Sequence, residues 1–265
     1  MSAILSVREL EKTFGSVVAA RAISLDVPAE QTVGIIGANG AGKTTFINMI
    51  TGHIRPSKGS IRFDDRDITG LPSRTITRLG ISRSFQVAQI FPSLTVYENL
   101  CLAAAVGRGK NGILALALRA LRTPEIIADV DAVIELFQIS QYSDTPAAML
   151  PQGARKLLDI AMAIGGSPRL LLLDEPTSGI SVEEKFAIMD VVMSALRSRK
   201  ITILFVEHDM DIVRRYTERI LAFYEGRIIA DDTPDTVLDD DDVRKYVTGT
   251  THPRVTGGAA SDAAH

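Results

Sequence analysis

The chain is 265 residues long, 46% hydrophobic and 23% charged, with a formal net charge of −3. That length and apolar content allow a substantial core in one large domain or two small ones, and the lack of a basic excess removes electrostatic support for nucleic-acid binding. The single cysteine, Cys101, excludes an internal disulfide and fits a reducing compartment; flanked by Leu100, Leu102 and Ala103, it reads as a small buried hydrophobe.

No apolar run is long enough to span a bilayer, the best being Ile113–Leu118 and Leu170–Leu173. The first residues, Met1-Ser2-Ala3-Ile4-Leu5-Ser6, lack the basic lead and apolar stretch of a signal peptide. A cytoplasmic location is expected, with any membrane link made through a partner.

In chain order, Leu5 to Val33 reads as β-like segments with turns at Phe14-Gly15 and Val27-Pro28. The apolar run Thr32–Ile36 predicts a strand, and Thr45–Gly52 a helix closed by glycine. Between them Gly37-Ala38-Asn39-Gly40-Ala41-Gly42-Lys43-Thr44 matches the phosphate-cradling P-loop pattern in full. Chance supplies such a match in roughly one chain in a hundred of this length. The glycines let backbone N–H groups turn toward a phosphate, and the following helix adds its positive dipole end. Lys43 supplies a cation to the β- and γ-phosphates, and the Thr44 hydroxyl is placed to ligate magnesium.

Gly59 to Ile68 alternates apolar and polar residues, as a half-exposed strand does. From Leu79 to about Gly165 the chain is rich in alanine and leucine and reads as helical, with breaks at Gly107–Gly112 and Pro124. Within it, residues 107–122 carry Arg108, Lys110, Arg119 and Arg122 around an apolar centre. That pattern fits an amphipathic helix packed on its neighbours, with a membrane-surface helix as the alternative. Leu170–Asp174 and Ile201–Val206 read as buried parallel strands, joined by a helix over Val182–Arg199. Arg219–Asp231 predicts a hairpin turning at Glu225-Gly226, and the Asp239–Asp242 run a solvated turn. The Gly-, Ala-, Thr- and Ser-rich tail after Gly249 is expected to be disordered.

Asp174 and Glu175 close the first buried strand, at the sheet edge where open α/β folds bind ligands. Asp174 is expected to hold magnesium directly or through water, and Glu175 to orient and deprotonate the attacking water. Without the P-loop the pair would read equally well as caps before Pro176. His208, leaving the next buried strand, is placed to reach a γ-phosphate, although an isolated histidine is more often structural. Gln86, in Ser84-Phe85-Gln86, offers an amide where the helical segment begins.

The order of these elements, P-loop, Gln86, Leu150-Pro151-Gln152-Gly153-Ala154, Asp174-Glu175 and His208, resembles the ATP-binding subunit of ABC transporters over nearly the whole chain. Phe85–Leu100, Leu157–Ala163 and the closing Gly226–Ala230 resemble more narrowly the branched-chain amino acid uptake subfamily, whose segments are shared by urea, amide and aromatic-acid importers. The resemblance implies an α/β fold: a P-loop NTPase ABC cassette with a RecA-like catalytic lobe, an N-terminal antiparallel β subdomain and an α-helical lobe. It would be a single domain over 1–250, with the catalytic lobe at about 1–85 and 165–235, the helical lobe at about 86–164 and a C-terminal extension at about 236–250.

The implied activity is ATP hydrolysis that energises solute import, with ATP and Mg2+ as cofactors. Phe14 would stack on adenine, while Gly37, Ala38, Asn39, Gly40, Ala41, Gly42, Lys43, Thr44 and Thr45 would hold the phosphates. Gly153 would face the nucleotide of a second cassette. Gln86 would contact magnesium and the attacking water, and His208 would clamp the γ-phosphate. The helical lobe would dock transmembrane permease subunits at the cytoplasmic face of the plasma (inner) membrane, served indirectly by a periplasmic or extracellular solute-binding protein. A soluble ATP-driven switch on the same cassette, normally carrying coiled coils or a second cassette, and a low-turnover regulatory module are the alternative readings.

The chain departs from its family at two places. The usual signature Leu-Ser-Gly-Gly-Gln reads Leu150-Pro151-Gln152-Gly153-Ala154, so the serine that donates to the γ-phosphate is a proline without hydroxyl or N–H. Losing one charge-assisted donor costs about 1.5–3 kcal/mol. Ser181 stands where the family usually has aspartate. These changes predict a heterodimer in which the partner cassette brings an intact signature loop.

Overall fold

The computed structural model describes residues 3–84, 90–107 and 123–249. Strands β1 (Ala3–Phe14) and β2 (Val17–Pro28) form a long antiparallel hairpin. They alternate as the sequence does, with Leu5, Val7, Leu10, Ile23, Leu25 and Val27 all buried. After β3 (Thr32–Gly37) and helix α1 (Lys43–Ile50), β4 (Lys58–Phe63) returns to pair with β1, and β5 (Arg66–Asp67) completes a four-stranded sheet in the order β2-β1-β4-β5. Helix α2 (Ser73–Arg78) then leads into β6 (Ile81–Ser84).

Three α-helices follow among the described residues: α3 (Val96–Gly107), α4 (Pro124–Leu136) and α5 (Gln152–Ala163), with α3 packed on both others. The chain re-enters the sheet at β7 (Leu170–Asp174). It then runs through α6 (Val182–Ser198), β8 (Thr202–Val206), α7 (Met210–Tyr216), β9 (Arg219–Tyr224) and β10 (Arg227–Asp232). The second sheet has the order β10-β9-β3-β8-β7-β6, in which only β10 is antiparallel to its neighbour. Parallel pairing needs crossovers, and α6 and α7 supply two of them.

The strands of this sheet are apolar on both faces because both are covered. Leu171, Leu173, Ile203 and Phe205 face a core shared with α3–α7, while Leu170, Leu172, Leu204 and Val206 face a core shared with α1 and the antiparallel sheet. After β10, α8 (Pro234–Asp239), α9 (Asp241–Val243) and a π-helical turn over Arg244–Thr248 fold back onto β3 and β9. There the Tyr246 ring lies 4.7 Å from that of Tyr224.

The expected elements stand close to their predicted positions, including the hairpin at Glu225-Gly226. One strand differs. β6 falls in the segment read as helical, because four residues with the pattern Ile-Ser-Arg-Ser carry almost no apolar signal. Pairing with Leu170–Leu173 makes them a strand. Gln86, the 108–122 part of the amphipathic segment and the tail beyond Gly249 lie outside the described residues.

Candidate functional site

β3, β7 and β8 all point their carboxyl ends to one edge of the parallel sheet, and the candidate residues collect there. Gly37 ends β3, Ala38, Asn39 and Gly40 form an exposed arc, and Gly42 precedes the first turn of α1. The glycines are required by space as well as by backbone shape. A Cβ on Gly37 would lie 2.6 Å from the Phe223 carbonyl oxygen. One on Gly42, at φ 102°, would lie 2.5 Å from that of Ala19. The arc is therefore pressed against β2 and β9 on one side and open on the other.

Lys43 is buried at the base of this arc, where its Nζ donates to the carbonyls of Gly37 (2.5 Å) and Ala38 (3.0 Å). Burial pushes its ammonium pKa down, against the opposing pull of Glu175 and Asp174. Thr44 is exposed on the first turn of α1, and Thr45 half-buried beside it.

Asp174, the last residue of β7, forms an ion pair with Arg83 on β6, Nη2 to Oδ2 at 2.5 Å. The Arg83 Nη1 donates to Asn48 Oδ1 at 2.7 Å, which ties the pair to α1. Glu175 follows in a left-handed conformation, φ 49°, with its N–H bonded to the Val206 carbonyl at 3.0 Å. Such a backbone costs about 1–3 kcal/mol and persists where the surroundings over-determine it. It turns the Glu175 carboxylate to 3.2 Å from His208 Nε2.

The donor set fits magnesium. Thr44 and Asp174 offer hard oxygens, and among the described residues no group of three or more His, Cys, Asp or Glu side chains makes a metal cage of its own. Magnesium suits such a place because it is commonly held by one or two protein oxygens together with substrate phosphates and water.

Sequence reasoning assigned no role to Glu207. It is buried, and its carboxylate accepts from the Thr177 N–H (3.0 Å) and hydroxyl, from the His208 N–H (2.8 Å) and from the Asp209 N–H (3.4 Å). One carboxylate thus joins the loop after Glu175 to the turn that carries His208. Buried Lys156 on α5 was also missed; burial lowers its pKa while Asp159, Glu207, Asp174 and Glu175 raise it. Only a buried charge at the end of an apolar strand hinted at Glu207, and nothing in the spacing hinted at Lys156.

Away from the edge, Phe14 ends β1 half-exposed, with the Lys12 ammonium 5.0 Å from its ring centroid. Gly153 lies in the first turn of α5, where a Cβ would meet the tip of the Ile188 side chain, Cδ1 at 2.6 Å, so a larger residue there requires Ile188 on α6 to shift. Pro151 is the N-cap of α5 and contributes no side-chain cap. Ser181 caps α6, accepting from the Glu184 N–H (3.3 Å) while its hydroxyl donates to the Glu184 carboxylate (3.0 Å). Among the described residues no helix is long and apolar enough to cross a membrane.

Known proteins are similar to this chain over most of its length. The family model described as "ABC transporter" matches residues 20–178. BraF of Pseudomonas aeruginosa, a high-affinity branched-chain amino acid transport ATP-binding protein, is 34% identical over 93% of this chain and 98% of its own. LivG of Escherichia coli, with the same description, is 32% identical over 92% and 97%. LptB of Haemophilus influenzae, a lipopolysaccharide export system ATP-binding protein, is 33% identical over 93% and 97%. Among solved structures, the ADP conformation of the ATP-binding cassette MJ1267 superposes with a TM-score of 0.82 at 29% identity, covering 92% of this chain and 98% of that one. The chain belongs to the ABC transporter family and is one of its ATP-binding, ATP-hydrolysing subunits.

Proposed function

We propose that this subunit energises the import of branched-chain amino acids or related small solutes, as one cassette over residues 1–250. The single observation that supports the catalytic part most directly is the Glu175–His208 contact at the sheet edge that also carries the phosphate loop. In this reading the loop from Gly37 to Thr45 binds the phosphates through its amides, with Lys43 as the fixed cation. Phe14 receives the adenine ring. Glu175 takes the proton of the attacking water, and His208 holds the γ-phosphate and the carboxylate in register. Thr44, Asp174 and Gln86 would hold magnesium, which would supply positive charge to the phosphates.

A groove of about 1070 Å3 supports the docking of a permease. Its walls are α2, β6, α3 and the end of α5, and it exposes Phe91 and Val106, 49% and 55% accessible. Apolar side chains that open in such a concavity fit a short cytoplasmic helix of a transmembrane subunit. In this reading the chain is peripheral, on the cytoplasmic face of the plasma membrane, and closes head to tail on a second cassette. The loss of the signature serine at Pro151 favours a different partner chain with an intact loop. The branched-chain names of BraF and LivG support the solute class.

The test is reconstitution with a branched-chain amino acid permease pair, a second cassette and a solute-binding protein, in vesicles loaded with ATP. Uptake of leucine, isoleucine or valine is expected, with Glu175→Gln abolishing uptake and phosphate release while ATP stays bound. Release of phosphate without uptake of any of these solutes would overturn the branched-chain solute class. Full activity in Glu175→Gln would overturn the catalytic one.

A further inference from the structure

Arg83 has no part in the chemistry above, yet it joins β7, which ends in Asp174, to α1, which carries Thr44. It stands on β6, next to β7 in the sheet, and its side chain is only 10% exposed. Its guanidinium bonds in two directions, to Asp174 Oδ2 at 2.5 Å and to Asn48 Oδ1 at 2.7 Å. Asn48 lies one turn along α1 from Thr44, so one planar cation ties the carboxyl end of β7 to the helix that presents the Thr44 hydroxyl. An arginine fork can hold two acceptors at a fixed angle, which a lysine ammonium does not reproduce.

We propose that Arg83 is a positioning residue for the metal: it fixes the Asp174 carboxylate against α1, so that Asp174 and Thr44 meet the ion as a preset pair. The proposal rests on the reading that Asp174 holds the metal. Two features carry it: the low exposure of both partners and the second anchor at Asn48. Outer partners of metal ligands typically govern 10–100-fold in metal affinity, and Arg83 is such a partner whose other hand grips the helix bearing the second ligand.

The experiment measures how nucleotide affinity depends on divalent metal in the full chain, using a fluorescent ATP analogue with Mn2+. The electron paramagnetic resonance signal of bound Mn2+ serves as a second readout that does not depend on turnover. Arg83→Met is expected to raise the half-saturating Mn2+ by about 10-fold or more and broaden the signal, with metal-free nucleotide affinity unchanged. Arg83→Lys should recover part of the shift, and Asn48→Ala should show a smaller shift in the same direction. If Arg83→Met does not fold, Arg83→Lys and Asn48→Ala carry the test. Midpoints that stay put or fall in these variants, while Asp174→Asn loses metal dependence, overturn the positioning role alone. A normal metal midpoint in Asp174→Asn overturns the metal reading itself and this proposal with it.

Discussion

His208 Nε2 lies 3.2 Å from Glu175 Oε1, although the two residues leave different strands of the parallel sheet. The register that pairs Asp174 with Val206 sets their strands level, and the left-handed turn at Glu175 brings the carboxylate across the gap. His208 is half-exposed and Glu175 a quarter exposed, so both remain open to a substrate. His208→Ala should therefore act on turnover rather than on stability. A fall in kcat of about 100-fold is expected, in the range of a positioned proton-transfer or phosphate-holding group, with little change in KM for ATP. Steady-state phosphate release by the assembled transporter checks it. A KM rise with unchanged kcat would make the histidine a ground-state binder only.

Glu207 holds the same architecture from beneath. Its carboxylate satisfies donors of Thr177, His208 and Asp209 in a buried place. Glu207→Gln keeps the shape but turns an amide N–H2 toward N–H donors. The cost should be about 2–4 kcal/mol, from one weakened charge-assisted bond and one unmet donor. For a chain of this size that lowers Tm by on the order of 5–10 °C. Thermal unfolding followed by circular dichroism measures it; an unchanged Tm would mean that the two loops are held by other contacts.

Most of this site was legible in the sequence because its parts are short and local. The phosphate loop needs glycines where Cβ atoms would strike Phe223 and Ala19, and Asp174, Glu175 and His208 close strands whose apolar runs announce them. What escaped was long-range or weakly patterned. β6 has too few apolar residues to mark itself, so Arg83 was invisible as a partner of Asp174. Glu207 reads as one more charge after a strand until Thr177, thirty positions away, is brought onto it. The sequence places Gly153 toward a second cassette and marks Ser181 as a departure from the family's usual aspartate. Within one chain, the first already has a packing role against Ile188 and the second a capping role with Glu184.

Asp209 adds a pH dependence. It caps α7 through the N–H groups of Asp211 (3.0 Å) and Ile212 (3.3 Å), and its other oxygen pairs with Lys185 on α6. Burial pushes its carboxyl pKa up, but the Lys185 hydrogen bond and charge with the two amides outweigh that, and the net shift is downward. A folded pKa below the unfolded one means that the unfolded chain binds the proton first on acidification. The stabilisation is thus complete above about pH 4, the unfolded carboxylate range, and is lost as pH falls through the lower folded value. Asp209→Asn keeps a competent cap without the ion pair. The stability gap between wild type and Asp209→Asn should therefore be widest at pH 7 and shrink below about pH 4. Urea midpoints at pH 7 and pH 3 test this, and a gap that grows in acid would reverse the sign.

Pro151→Ser separates capping from catalysis. Pro151 has φ −55° and ψ 154°, a backbone that serine adopts without strain, at the N-cap of a 12-residue helix without a side-chain cap. A serine there would accept from an amide of the first turn, a gain of about 0.5–2 kcal/mol, against about 0.4–1 kcal/mol lost by freeing the unfolded chain from proline. The two nearly cancel, so Tm should move little. Turnover is different. The serine hydroxyl accepts through oxygen while its own proton stays available. If α5 points its N-terminus at the nucleotide of a second cassette, that proton supplies a charge-assisted donor of about 1.5–3 kcal/mol. Each 1.4 kcal/mol is about tenfold in rate, so ATP hydrolysis by the assembled transporter should rise about 10- to 100-fold if the full donor is realised in the transition state. A rate that does not rise, in a variant with wild-type Tm, would mean that no nucleotide sits over the start of α5 and that the head-to-tail arrangement is wrong for this chain.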